Sequence, residues 1–242
     1  MGWTPLFIKT DKMKVLILGA GEVGERRASR FIQAGAEVIL TGGTVSNNLQ
    51  NMGAIFKPLE KIKELVEWAD LVVIASGDKE LNNKVAHLAG EKLLNRADDP
   101  LDGNVIVPTT FSVADAQISI FTGGKSPLMA RMLRKKIQAS ITPEDILQIE
   151  LQDHARLKLK SCIGNQKLRR DYLYQISQDP EIKKCLGENR LEDAISLADS
   201  FINNLDCSNS KIKSKYESND KKENFNGFIK DEKPENHKEE SF

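Results

Sequence analysis

Short aliphatic runs alternate with longer segments of helical period over the first 112 residues of the chain. Two of these runs, Val15-Leu16-Ile17-Leu18 and Leu71-Val72-Val73-Ile74, are continuously apolar, as is typical of parallel strands that are covered on both faces. The alternation predicts an α/β fold in which helices pack on a parallel sheet. The predicted strands are 13–18, 36–41, 54–57, 70–75 and 104–107, and the predicted helices are 23–34, 44–52, 59–68 and 79–94.

The pattern changes after residue 112. A further strand is predicted at 116–122, and Gly123-Gly124-Lys125-Ser126-Pro127 predicts a loop that leads into a helix, with Ser126 as N-cap and Pro127 at the first helical position. From residue 143 the period is helical, which predicts a small all-helical domain at 143–206. Its helices are predicted at 143–161, 167–177 and 191–204.

The end of the chain has a different composition. Residues 207–242 contain eight Lys and eight Asp or Glu, with scarcely any aliphatic side chain. Such a segment cannot bury enough apolar surface to offset its chain entropy. We predict a disordered polar tail at 207–242.

Composition and charge exclude several classes of protein. The 35 basic and 35 acidic side chains give a net charge of zero, and no apolar run approaches the roughly 20 residues that cross a bilayer. The N-terminus lacks the pattern of a secretory signal, so we expect a cytoplasmic protein with no membrane contact. Cys162, Cys185 and Cys207 form no C-x-x-C pair, and no cluster of His, Cys and carboxylates predicts a bound metal.

A glycine-rich loop, Gly19-Ala20-Gly21-Glu22-Val23-Gly24, lies between the first predicted strand and the first predicted helix. The three glycines allow a tight turn, close approach of a pyrophosphate, and close packing of helix on strand. We therefore expect a Rossmann-like dinucleotide-binding domain at 1–112. The alternative is a strand-to-helix turn that merely needs glycine. The residues expected to bind the cofactor here are Gly19, Gly21, Glu22, Val23 and Gly24.

The end of the second predicted strand lacks the carboxylate that usually binds the ribose in such domains. This place reads Leu40-Thr41-Gly42-Gly43-Thr44, so Gly43 and Thr44 are expected to contact the ribose instead. No arginine stands here to bind a 2′-phosphate. The ribose site by itself leaves NAD and NADP open, and we expect NAD on balance with the resemblance described next.

Several motifs in the same order along the chain are shared with one known family. They are Pro5-Leu6-Phe7, the glycine-rich loop with Glu25-Arg26-Arg27, Leu81-Asn82, Asn95-Arg96-Ala97-Asp98-Asp99-Pro100, Pro108, Thr122-Gly123-Gly124-Lys125-Ser126-Pro127, Ala130-Arg131-Met132-Leu133-Arg134 and Arg169-Arg170. On these motifs, over about residues 3–205, the chain resembles the precorrin-2 dehydrogenases of siroheme biosynthesis, some of which are also sirohydrochlorin ferrochelatases. Three residues depart from the family pattern: Ala20 replaces a common glycine, Gly24 a frequent alanine, and Arg96 an apolar residue.

The resemblance implies an oxidoreductase that oxidises precorrin-2 to sirohydrochlorin with NAD. It also implies a homodimer whose subunits join through residues 113–142. By similarity to the family motif, Asp98 is the catalytic residue, acting as general base. The alternative for Asp98 is a loop carboxylate beside Pro100 that only forms a turn. Whether this chain also inserts iron or cobalt stays open.

The substrate that the resemblance implies is a tetrapyrrole with eight carboxylates, which should meet positive charge. Residues 113–140 hold five basic side chains and one acidic, whereas 141–206 hold nine basic and 12 acidic. Thr122, Gly123, Gly124 and Lys125 are expected to bind the substrate, while Lys135 and Lys136 are expected on a solvated helix face. Nucleic acid is not expected as a partner, because no aromatic residues interleave the basic ones.

The alternative to an enzyme is a binding module without catalysis. A regulatory module that senses a nucleotide through the same glycine-rich loop would ordinarily keep the acidic ribose ligand. It would also have no need for Asp98 or for the loop at 122–125. The sequence shows the opposite combination, which favours the dehydrogenase.

Overall fold

The computed structural model describes residues 2–44 and 46–205. The chain divides into two compact units, the first ending at Ile141 and the second beginning at Thr142. The tail predicted at 207–242 lies outside the described residues, and the domain boundary predicted after residue 112 stays a prediction.

Five parallel strands form the sheet of the first unit, in the order β3-β2-β1-β4-β5. The strands are β1 Lys14–Leu18, β2 Glu37–Thr41, β3 Ile55–Phe56, β4 Leu71–Ile74 and β5 Leu93–Arg96, and the helices between them are α1 Glu22–Gln33, α2 Asn47–Asn51, α3 Ile62–Trp68 and α4 Lys79–Ala89. A short 3-10 turn, Leu59–Lys61, leads into α3. This α/β architecture confirms the predicted fold class. The strand order changes direction between β1 and β4, where open sheets of this kind bind ligands at the carboxyl ends of the strands.

The central strands are buried on both faces, as their apolar sequences predict. Leu16 and Leu18 of β1 pack on one face of the sheet with Val72 and Ile74 of β4, and all four are fully buried. The alternate residues of the same strands, Val15, Ile17, Leu71 and Val73, pack on the other face. The two-residue period of a strand thus supplies two cores from one hydrophobic run.

The fifth strand is not at 104–107, where we predicted it, but at Leu93–Arg96. The helix predicted to end at residue 94 ends at Ala89, and Gly90 follows with φ +55°. Only two residues of β5 are aliphatic, and Asn95 and Arg96 are buried because their side chains find polar partners. Hydrophobic periodicity cannot detect a strand of this kind.

A hairpin and a long helix complete the first unit. Strands β6 Thr109–Val113 and β7 Ala116–Ile120 pair antiparallel, and α5 Pro127–Ser140 follows. The prediction missed β6. The start of α5 is confirmed, because Ser126 accepts a hydrogen bond from the Met129 amide at 3.1 Å and Pro127 is the first helical residue.

The second unit, as far as it is described, consists of helices. They are α6 Pro143–Cys162, α7 Gln166–Gln178, α8 Pro180–Gly187 and α9 Leu191–Asn204. Leu151, Leu159, Ile176 and Ile202 are fully buried at the centre of this unit. The prediction missed α8, which has eight residues and too few turns for a clear period. None of the described helices is long and apolar enough to cross a membrane.

Candidate cofactor and active site

The glycine-rich loop turns from β1 into α1 with almost no free space around two of its glycines. Gly19 has φ +100°, and a Cβ placed on it would lie 2.6 Å from the carbonyl oxygen of Ala75. A Cβ on Gly24 would lie 1.9 Å from the carbonyl oxygen of Gly19. The turn and the close helix packing therefore both depend on the absence of a side chain.

Gly21 is different, because a Cβ on it would meet no protein atom within 4 Å. It is the N-cap of α1 and supplies no side chain to cap the first turn. The amide groups of the first turn of a helix lack partners within the helix, so those of Glu22 and Val23 are available to an anion. The open space and the uncapped turn fit the pyrophosphate of a dinucleotide.

The carboxyl end of β2 lies beside this loop. The Gly19 amide donates to the Thr41 carbonyl oxygen at 2.8 Å, and a Cβ on Gly43 would lie 2.9 Å from the Cβ of Ala20. The hydroxyl of Thr41 is buried without a hydrogen-bond partner among the described residues, and Thr44 is exposed. Gly43 and Thr44 are therefore placed next to the loop, and the acidic residue usual at this position is absent.

Asp98 lies just after β5, at the carboxyl ends of the strands. The residue as a whole is exposed because its backbone is open, but its side chain is only 19% exposed. The carboxylate accepts hydrogen bonds from Arg96 and Asn82: Arg96 Nη2 lies 2.6 Å from Oδ2, Arg96 Nε 3.2 Å from Oδ1, and Asn82 Nδ2 3.0 Å from Oδ2. The side chain is thus held in one orientation by two elements, β5 and α4.

The charge state of Asp98 follows from these contacts. Burial alone would raise the pKa of its carboxyl, but the hydrogen bonds from Arg96 and Asn82 and the charge of Arg96 outweigh burial and lower that pKa. The hydrogen bond with Asp98 is also the main reason why the pKa of Arg96 is raised. Asp98 is therefore ionised at neutral pH and able to accept a proton.

Arg96 is a residue of the site that the sequence did not predict. It is 6% exposed, and its Nη1 also binds Asp102 in a second ion pair and donates to Asn83 Oδ1 at 3.0 Å. A buried arginine is rare without such partners. The signal in the sequence was its departure from the apolar family pattern, only two residues before Asp98.

A short series of contacts connects the glycine-rich loop to Asp98. Gly19 packs against Ala75 and Ser76, which follow β4. The Ser76 hydroxyl donates to Asn82 Oδ1 at 2.6 Å, and Asn82 Nδ2 donates to the Ser76 carbonyl oxygen at 3.0 Å as well as to Asp98. Asn82 is fully buried. The loop and the carboxylate thus lie at the same edge of the sheet, with one asparagine between them.

The loop at 122–125 forms a tight turn before α5. The Thr122 hydroxyl donates to the Ser126 carbonyl oxygen at 3.1 Å, and the Lys125 amide donates to the Thr122 carbonyl oxygen, also at 3.1 Å. Gly123 and Gly124 have φ of +64° and +74° and open space around them. Within the described part of the chain, no hydrogen bond or ion pair joins this turn to Asp98, so its role in binding substrate stays a prediction.

Comparisons with known proteins agree with this geometry. Residues 6–109 match the family model described as putative NAD(P)-binding. A precorrin-2 dehydrogenase from Methanosarcina barkeri is 29% identical over 216 residues, which are 83% of this chain and 95% of that protein. Siroheme synthase 1 from Aeromonas salmonicida is 26% identical over 84% of this chain but only 44% of its own length, so the chain spans less than half of that relative.

The fold of the chain is also similar to a solved structure, that of SirC, a precorrin-2 dehydrogenase. The match covers 82% of this chain and 100% of SirC, with a TM-score of 0.67 and 20% identity. This similarity supports the arrangement of strands and helices described above. The resemblance to the precorrin-2 dehydrogenases and to part of the siroheme synthases, which the sequence motifs indicated, is therefore confirmed.

Proposed function

We propose that this chain is an NAD-dependent dehydrogenase that oxidises precorrin-2 to sirohydrochlorin. The observation that carries the proposal is the series of contacts from Gly19 through Ser76 and Asn82 to Asp98. It places an ionised carboxylate at the same sheet edge as a loop with room for a pyrophosphate. The precorrin-2 dehydrogenase among its relatives supports the choice of substrate.

Each part of this edge has a role in the proposed reaction. The amides of Glu22 and Val23 hold the pyrophosphate, and Gly43 and Thr44 contact the ribose. NAD, when bound, supplies the acceptor for the hydride that leaves the ring carbon. Asp98 accepts the proton that leaves the macrocycle, and Arg96 and Asn82 hold its carboxylate in place for this transfer.

NAD is preferred to NADP in this proposal because the end of β2 provides no cation. The residues after Leu40 are Thr41-Gly42-Gly43-Thr44, which carry no charge. A 2′-phosphate would lose its hydration here without gaining a charged partner. The 2′-hydroxyl of NAD needs only a neutral partner, which Thr44 supplies.

The homodimer and the substrate loop belong to the same proposal. Leu128, Met129, Met132 and Leu133 of α5 are exposed by 36% or more, and together they form an apolar stripe along one helix. Such a stripe favours contact with a second copy of the chain through residues 113–142. Thr122, Gly123, Gly124 and Lys125 lie directly before this helix and are proposed to bind carboxylates of the tetrapyrrole, and the enzyme is proposed to work in the cytoplasm.

The experiment combines the purified chain with enzymatically prepared precorrin-2 and NAD and follows the absorbance of sirohydrochlorin. We expect product to form only when NAD is present. Binding of NAD with no product would refute the dehydrogenase and favour a nucleotide-sensing module. A second series with ferrous or cobaltous ion measures whether the chain also inserts a metal.

A further inference from the structure

A cationic cleft lies between α6 and α7 of the helical unit. It has a volume of about 660 Å³, within the range of small-molecule sites. Five of its seven lining residues are basic, and none is acidic. The lining residues are Arg156, Lys160, Gln166, Lys167, Arg169, Arg170 and Leu173.

This concentration of positive charge is unusual for its surroundings. Residues 141–206 carry nine basic and 12 acidic side chains, yet five of the nine basic ones line this cleft. Among the described residues, the only ion pair made by a lining cation joins Arg170 to Asp171 at 3.9 Å. Both of these side chains are largely exposed, so the pair neutralises little charge.

Helix α6 carries two sets of basic side chains, of which only one contacts an acidic residue in the described part of the chain. His154 and Lys158 both contact Asp199 of α9, at 2.9 and 3.0 Å. Arg156 and Lys160, which alternate with them in sequence and face the cleft, make no ion pair in the described part of the chain. Within the described residues, the weak Arg170–Asp171 pair is thus the one ion pair that offsets repulsion among the cleft cations.

Arg169 is fixed in position for a ligand. Its Nη1 donates to the carbonyl oxygens of Ile163 and Gly164, at 2.6 and 2.9 Å, just beyond the end of α6. These two bonds leave Nε and Nη2 with no partner among the described residues. An arginine held in this way loses little further entropy when it binds a carboxylate through its remaining donors.

We propose that the cleft between α6 and α7 binds a carboxylate-rich small molecule, the tetrapyrrole reactant or product of the reaction proposed above. The identity of the ligand rests on that proposed function. A tetrapyrrole with eight carboxylates requires several cations, and the cleft presents arginine and lysine together with an apolar contact at Leu173. A single-stranded nucleic acid would call for aromatic side chains on which bases stack, and none lines the cleft.

The experiment uses the full chain and uroporphyrin III, a stable tetrapyrrole with eight carboxylates, in a fluorescence titration without NAD. The test variant is Arg156→Glu with Lys160→Glu, and the control is Lys183→Glu with Lys184→Glu, an equal change of charge on exposed positions of α8. We expect the test variant to bind uroporphyrin roughly tenfold or more weakly than the wild type, and the control to bind within about twofold. Coproporphyrin III, with four carboxylates, should bind the wild type less tightly than uroporphyrin.

A more conservative variant tests whether a loss of binding is caused by misfolding. Arg156 and Lys160 are exposed and make no ion pair among the described residues, so Arg156→Ala with Lys160→Ala should keep the helical circular dichroism and give an intermediate loss of binding. Equal uroporphyrin affinity of the wild type and both cleft variants overturns the inference, and it does so even when NAD-dependent turnover is intact. Cleft-dependent binding of a uridine oligonucleotide in place of uroporphyrin also overturns it. Uroporphyrin binding that depends on the cleft supports the site even when precorrin-2 is not oxidised. The lack of oxidation would then refute the proposed dehydrogenase activity but not the binding site.

Discussion

The guanidinium of Arg96 contacts the carboxylate of Asp98 at two points, with Nη2 2.6 Å from Oδ2 and Nε 3.2 Å from Oδ1. The two residues are separated by Ala97 at the carboxyl end of β5, so the strand itself sets their spacing. A paired contact of this kind fixes both the direction and the charge of the carboxylate. The first three predictions follow from it.

Replacement of Asp98 by alanine should greatly slow precorrin-2 oxidation and leave NAD binding unchanged. The carboxylate is proposed to take the proton, and among the described residues its side-chain hydrogen bonds join it to Arg96 and Asn82 and not to the glycine-rich loop. We expect the rate of product formation to fall by about 10²- to 10⁴-fold, the usual contribution of a general base. The rate and the NAD affinity are measured separately. Asp99→Ala is the matched control and should retain activity, and wild-type rates for Asp98→Ala would refute its role.

Replacement of Arg96 by methionine should move the acidic limb of the pH–rate profile to higher pH. Burial raises the pKa of Asp98 and Arg96 lowers it, so this pKa rises when Arg96 is replaced. The base is then protonated over a wider range of acidic pH and activity is lost earlier on acidification. The measurement is kcat/KM against pH for both proteins. Arg96→Lys keeps the charge without the two-point contact and should give an intermediate shift. An acidic limb at the wild-type pH in both variants would contradict the assignment of Asp98 as the base whose pKa Arg96 lowers.

The same ion pair should stabilise the fold only above acidic pH. The pKa of Asp98 is lower in the folded chain than in the unfolded chain, where it is about 3.9. Its stabilisation is therefore complete above that value and disappears as pH falls through the folded pKa. Urea unfolding of wild type and Asp98→Asn between pH 7 and pH 3 should show a difference that narrows at the acidic end. Asp115→Asn, in the exposed turn between β6 and β7, serves as the control.

Replacement of Gly21 by alanine should weaken NAD binding without affecting stability. A Cβ at this position meets no protein atom within 4 Å, and the Gly21 backbone, with φ −76°, accepts any residue. The added methyl group therefore occupies only the space in which the pyrophosphate is proposed to bind. We expect a loss of roughly tenfold or more in NAD affinity and an unchanged urea midpoint. Gly19→Ala should lower both, because its Cβ would lie 2.6 Å from the Ala75 carbonyl oxygen. Unchanged NAD binding by Gly21→Ala would contradict the site.

The sequence predicted the parts of this molecule that depend on local pattern. Strands β1 and β4 were predicted because they are continuously apolar, and the start of α5 because Ser126 and Pro127 signal a helix N-terminus. Asp98 was identified through a family motif but was placed after a helix, because Leu93 and Leu94 were assigned to that helix.

What the sequence could not predict depends on contacts between distant residues. Asn82 lies 16 residues before Asp98, and nothing in its surroundings signals the hydrogen bond between them. The cleft in the helical unit was missed for a related reason. The cleft cations on α6 alternate along the sequence with the residues that contact Asp199. From the sequence, the two sets cannot be distinguished and indicate only a charged helix.

The position of Gly19 between two buried strands has a consequence for how the site moves. The Gly19 amide donates a hydrogen bond to the Thr41 carbonyl oxygen. Gly19 directly follows β1, whose residues Val15, Leu16, Ile17 and Leu18 are all 0% exposed. We expect the Gly19 amide hydrogen to exchange with solvent far more slowly than the amide hydrogens of exposed turns. The first residue of the turn that receives the dinucleotide is therefore anchored to the core, whereas Gly21 and Glu22 are exposed.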